Sequence, residues 1–90
     1  AGFAELRTAE AHGAWRLRHE DRGSAVLVIA PHAGMIEHDT GEIALAIAGD
    51  DLSWYLFEGR KHDHNRDLHL ASARFDEPTA VEMCSRARLV

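Results

Sequence analysis

Ala25-Val26-Leu27-Val28-Ile29-Ala30 is an unbroken apolar run, and Pro31-His32-Ala33-Gly34-Met35-Ile36-Glu37-His38 follows it directly. Six apolar residues without alternation read as a central strand buried on both faces, the pattern of a sheet covered by helices. The residues from Pro31 to His38 read as the loop that leaves its carboxyl end. In α/β sheets, ligands bind at that end. His32 therefore falls where chemistry is expected, and Glu37 lies five residues on in the same loop. Gly34 between them allows a tight backbone path. A histidine and a carboxylate so placed are a plausible half of a zinc site, which in hydrolases takes three protein ligands plus water. The same pair also reads as a loop histidine near a helix N-terminus, with acids complementing the helix dipole.

Working outward, Trp15, Leu17 and His19 alternate with Arg16, Arg18 and Glu20, the period of a half-exposed strand. Asp21-Arg22-Gly23-Ser24 is a turn by composition, so this strand and Ala25–Ala30 are predicted to form a hairpin. Phe3 to Ala11 is rich in helix formers and is stopped by Gly13. Downstream, Asp39 or Thr40 suits a helix N-cap, with Glu42 placed to complete a capping box with Asp39. Ile43, Ala46 and Ile47 share a face of that helix, which Gly49 closes. Leu52 to Phe57 reads as a strand, Gly59 to Asp67 as an exposed loop, and Leu68 to Ala71 as a short strand. Pro78 fits the first turn of a helix running to about Arg88, and Leu89-Val90 reads as the start of another strand. The order α, β, β, α, β, β, α predicts an α/β fold with a mixed β-sheet flanked by helices. A helix handing over to a strand predicts that residues 1–90 are a single α/β domain that is incomplete, the N-terminal part of something larger; the same two apolar residues also read as a frayed C-terminal tail.

Composition narrows the functional classes. Ninety residues make one domain at most. A hydrophobic fraction of 46% with 28% charged residues is ordinary for a globular chain and argues against disorder. No apolar run approaches the roughly 20 residues of a membrane helix, and no leader pattern is visible. The net charge of −5 disfavours nucleic-acid partners and anionic membrane surfaces. The single cysteine, Cys84, cannot form an internal disulfide, so a reducing, cytoplasmic setting is expected; it reads as core filler.

Seven histidines are many for this length. Arg60-Lys61-His62-Asp63-His64-Asn65-Arg66 is a local reversal of charge that would attract carboxylates; His62 and His64, two apart, could also bind a metal. The same stretch reads as a solvated loop. His69, between Leu68 and Leu70, reads as a structural residue before a ligand. No Ser/His/Asp order, phosphate loop or dinucleotide fingerprint occurs.

Two blocks, Pro31-His32-Ala33-Gly34-Met35-Ile36-Glu37 and Thr40-Gly41-Glu42-Ile43-Ala44, resemble the Pro-His-Gly-Gly-x-Ile-Glu…Thr-x-Glu-Ile-Ala signature of the phage-type poly-γ-glutamate hydrolases. Leu56-Phe57-Glu58-Gly59, Leu68-His69-Leu70-Ala71-Ser72 and Arg74-Phe75-Asp76-Glu77-Pro78 look like that family's next blocks, in order. Ala33 departs from the usual Gly. The resemblance implies a zinc-carboxypeptidase-like fold, a zinc cofactor and hydrolysis of γ-glutamyl amide bonds in poly-γ-glutamate or another acidic amide substrate, in a bacterial or phage setting. It matches His32 and Glu37 to the first two zinc ligands and implies a third histidine and a catalytic carboxylate beyond Val90. His69 matches a motif histidine with a site-lining or structural role. Asn65 and Arg66 fall where carboxypeptidase-like sites grip a substrate carboxylate, and Arg60 belongs to the cationic loop that would hold a polyanion. The alternative is a non-catalytic α/β module from the same family that binds an acidic ligand or a partner chain. An unpaired sheet edge after Val90 would favour a homodimer.

Overall fold

The computed structural model describes residues 2–11, 13–61, 63–70 and 75–90. Its elements are α1 (Phe3–Ala9), β1 (Trp15–Glu20), β2 (Leu27–Gly34), α2 (Thr40–Ala48), β3 (Ser53–Gly59), a 3-10 turn (Asn65–Leu68) and α3 (Pro78–Arg86). The three strands form one mixed sheet in the order β1-β3-β2. β1 runs antiparallel to β3, and β2 runs parallel to it. The α/β class with a mixed sheet and flanking helices is therefore as predicted.

The predicted hairpin does not form, because β3 lies between its two arms. β3 is buried along almost its whole length, so it takes the central position that the apolar run Ala25–Ala30 suggested for itself. β2 reaches β3 through the α2 crossover, the usual way to make a parallel pair. The strand also runs on to Gly34 rather than ending at Ala30. Pro31 is accommodated because β2 lies at the edge of this sheet and its register with β3 shifts between Ala30 and Ala33.

Alternation along β3 divides the core. Tyr55 and Phe57 face Phe3, Leu6, Leu68 and Met83. Phe57 sits amid Trp15, stacked at 5.4 Å, and the edges of Phe3 and Phe75 at 6.0 and 5.3 Å. Leu56 faces the other way and packs with Ala30, Ala33 and Ala44 beneath α2. Tyr55, fully buried, donates its hydroxyl to Glu77 at 2.7 Å, and Glu77 also caps α3 by accepting from the Ala80 amide at 3.0 Å. Burial, then the hydrogen bond and charge of Glu77, hold the Tyr55 phenol far above its ordinary range. Cys84 is half-buried against this same cluster.

Two further expectations are corrected. Leu68–Leu70 is not a strand: Leu68 ends the 3-10 turn, and Ala71 lies outside the described residues. The Asp39–Glu42 capping box is also not made, because Asp39 is left-handed at φ 70° and its side chain makes no cap bond. Leu89 forms an isolated parallel bridge to Val26, at the place read as the start of a further strand. Among the described residues, no helix is long and apolar enough to cross a membrane.

Glu58, only 8% exposed, accepts from Arg16 Nε at 2.9 Å and from Arg18 Nε and Nη2 at 3.0 and 3.2 Å. Burial pushes its carboxyl up, but the two guanidiniums outweigh burial and hold it below the usual carboxylate range. A depressed carboxylate stabilises the fold above its unfolded pKa, and that contribution is lost as pH falls through the folded value. Stability is expected to decline below about pH 4.3, the ordinary Glu value. Glu58→Gln should flatten this limb in denaturant titrations against pH; an unchanged acid limb in the variant contradicts the assignment.

Candidate metal centre

The end of β2 builds the site. Gly34 turns the chain with φ +66°, and the Met35 amide donates to the Gly59 carbonyl at 3.0 Å. The Glu37 amide then donates back to the His32 carbonyl at 2.9 Å, so the loop closes on itself. This brings the two side chains together, with His32 Nδ1 3.4 Å from Glu37 Oε1. His69 arrives from the far side of the 3-10 turn. Its Nε2 lies 3.5 Å from Glu37 Oε2, and its ring stacks on that of His32 with centroids 3.7 Å apart. One donor atom from each of His32, Glu37 and His69 lies within 4.8 Å of the others.

His32 is buried, and its Nε2 is hydrogen-bonded to the Leu70 carbonyl. A carbonyl can only accept, so Nε2 carries the proton and Nδ1 is the nitrogen left to face Glu37. A lone pair facing a carboxylate calls for a proton or a cation between them. Tetrahedral zinc with bonds of about 2.0–2.1 Å separates its ligand atoms by about 3.3–3.4 Å. The 3.4 and 3.5 Å separations, from the two histidines to the two different oxygens of Glu37, are of that order, and the donor set as a whole lies within 4.8 Å. A backbone carbonyl behind the distal ring nitrogen is also the usual outer support of a metal-binding histidine.

The other candidates lie elsewhere in the loop region. Asn65 is buried, and its carboxamide holds Lys61 by both amide and carbonyl, at 3.0 and 2.9 Å. Its polar atoms thus brace the 61–65 loop. Arg60 and Arg66 are exposed and have no ion-pair partner among the described residues. Lys61 is tied to Glu10 at 3.0 Å and Asp67 at 3.7 Å. His64 is left-handed and pairs loosely with Asp63 at 3.8 Å; His62 lies outside the described residues. An open groove follows β2 from Val28 to His32, flanked by Ile43 and Ile47 of α2, and ends at Glu37 and Thr40.

Sequence reasoning ranked His69 as site-lining or structural before metal-binding and did not place it beside the His32–Glu37 pair. The signal was present in its neighbours: Leu68 and Leu70 are both buried, which leaves His69 between them to face away from that core. The support from the Leu70 carbonyl was missed too, and it leaves no compositional trace.

Comparison with known proteins places the whole chain in a family. All of residues 1–90 match the poly-gamma-glutamate hydrolase family. The chain belongs to that family. It is similar to the UPF0714 protein YndL of Bacillus subtilis (strain 168), 42% identical over 81 residues, covering 90% of this chain and 32% of that one. The SPbeta prophage-derived UPF0714 protein YoqZ of the same organism is 36% identical over 86 residues, 96% of this chain and 31% of that one. Among solved structures, zinc-free apo YndL superposes with a TM-score of 0.92 at 38% identity, covering 98% of this chain and 44% of that chain. A bacteriophage poly-gamma-glutamate hydrolase superposes with a TM-score of 0.90 at 34% identity, over 96% and 42%. The chain spans about a third of the length of the curated relatives it matches.

Proposed function

We propose that this chain supplies the metal-binding part of a zinc-dependent hydrolase acting on γ-glutamyl amide bonds. The observation that carries the reading is the meeting of His32, Glu37 and His69 at the end of β2, in a chain of the poly-gamma-glutamate hydrolase family. His32 and Glu37 would hold the metal, and His69 is the third donor within reach. Bound zinc would polarise the amide carbonyl and supply a water that ionises near neutral pH.

The remaining residues position and attract. The Leu70 carbonyl sets the His32 tautomer. Arg60 and Arg66, exposed and without an ion-pair partner among the described residues, would draw a polyanionic chain toward the site through charge. The resemblance puts a third ligand histidine and the catalytic carboxylate beyond Val90, whereas His69 is the third donor that the geometry of these residues offers, so binding is the informative readout. The zinc-loaded protein should bind γ-linked glutamate oligomers more tightly than α-linked ones in calorimetry, and removing zinc should erase the difference. Arg60→Ala and Arg66→Ala should each weaken binding a few-fold, since an exposed ion pair is worth about 0.2–1 kcal/mol. Equal affinity for the two linkages, or affinity indifferent to zinc, contradicts the reading and favours a general acidic-ligand module.

A further inference from the structure

We propose that Thr40 is a positioning residue for the metal site, acting through the backbone that carries both His32 and Glu37. The inference rests on the zinc reading above and deepens it. Thr40 is the first residue of α2, and its hydroxyl points out of the helix toward the loop before it. Its Oγ1 lies 3.1 Å from the His32 carbonyl and 3.2 Å from the Glu37 carbonyl. One hydroxyl hydrogen is thus shared between the two carbonyls of the two ligand-bearing residues. The His32 carbonyl also accepts the Glu37 amide at 2.9 Å. Together these contacts close the 32–37 segment from inside, which sets how far apart the two Cα atoms stand and where their side chains meet.

Helix capping does not account for this hydroxyl. The cap position belongs to Asp39, whose side chain makes no cap bond, and the Ile43 amide is satisfied by the Asp39 carbonyl at 2.9 Å. Thr40 is itself held in place from both sides. Asp39 adopts φ 70°, which swings the chain into the helix. Gly41 then lies so near β2 that a Cβ there would stand 3.3 Å from the Ala33 Cβ. The first turn of α2 is thus pressed onto the strand one residue past His32, and Thr40 has little room to move. A rigid helix end thereby sets the geometry of a loop that holds two of the three donors, and Thr40 also lines the same groove as His32 and Glu37.

A purely structural threonine would affect folding and leave the metal affinity of the folded chain alone. The test is to titrate the metal-free chain with zinc and cobalt(II), for the wild type, Thr40→Val and Thr40→Ser. Valine keeps the shape and removes the hydroxyl; serine keeps the hydroxyl. Thr40→Val is expected to weaken zinc binding about tenfold or more, the range seen for lost outer-shell support, with Thr40→Ser within about twofold of wild type. The cobalt d–d bands should shift in the valine variant and recover in the serine variant. The thermal midpoint of the metal-free valine variant should stay within about 4–8 °C of wild type, the shift that about 1 kcal/mol produces. Wild-type zinc affinity and an unchanged cobalt spectrum in Thr40→Val overturn the role of Thr40 alone. So does an equal loss in both variants that tracks unfolding of the metal-free protein. A wild-type chain that takes up no zinc overturns the metal reading and this role with it.

Discussion

Gly34→Ala is expected to destabilise the fold by about 2–5 kcal/mol, combining a left-handed backbone with steric overlap. Gly34 has φ +66°, where an L side chain costs about 1–2 kcal/mol. Its Cβ would also stand 2.6 Å from the Gly59 carbonyl oxygen and 3.0 Å from the Glu58 Cβ. Both obstacles belong to β3, the central strand, and neither is the tip of a flexible side chain that can swing aside. Relief requires opening the Met35–Gly59 hydrogen bond, which shapes the turn between His32 and Glu37. For a 90-residue chain, total stability is about 5–13 kcal/mol, so the loss is a large share of it. Urea unfolding of the two proteins measures it, and zinc binding should weaken in parallel. A variant with the wild-type midpoint contradicts this account of the turn.

Zinc is expected to stabilise the chain strongly. A ligand that binds only the folded form at 100 times its Kd contributes about 2.7 kcal/mol. For a domain of this size that raises the thermal midpoint by about 10–20 °C. The donors come from residues 32, 37 and 69, so His69 is remote from the His32–Glu37 pair in the unfolded chain and meets it only in the folded one. His32→Ala removes one donor and the bond to the Leu70 carbonyl, which lowers stability even without metal. The diagnostic quantity is therefore the increment on adding zinc. It should be large in the wild type, nearly absent in His32→Ala, and reversed by a chelator. It should also shrink as pH falls, because protons compete with zinc for these ligands. Equal increments in wild type and variant contradict the site.

Much of this architecture was legible because it depends on local signals. The alternation in Trp15–Glu20, the punctuation by Gly49 and the Pro78 start of α3 are each written in a few adjacent residues. The hairpin was misread because proximity along the chain favours pairing neighbours. The pairing actually chosen depends on which strand can be buried on both faces, and Ser53–Gly59 outcompetes Ala25–Ala30 for that place. The end of β2 was misread at Pro31, since a proline at a sheet edge looks locally like a strand terminator. The Leu68–Ala71 strand was misread because apolar residues flanking a histidine mimic strand alternation. Of the metal centre, His32, Gly34 and Glu37 share one loop and could be read together. His69 lies 37 residues from His32 along the chain, and only folding brings its ring against it.

The central claim is that His32, Glu37 and His69 form a metal site in the folded chain. Calorimetric titration of the metal-free protein with zinc, beside His32→Ala, tests it most directly. The account predicts saturation at one zinc per chain in the wild type and loss of that binding in the variant. Absence of binding in the wild type, or the same isotherm for both proteins, would contradict it.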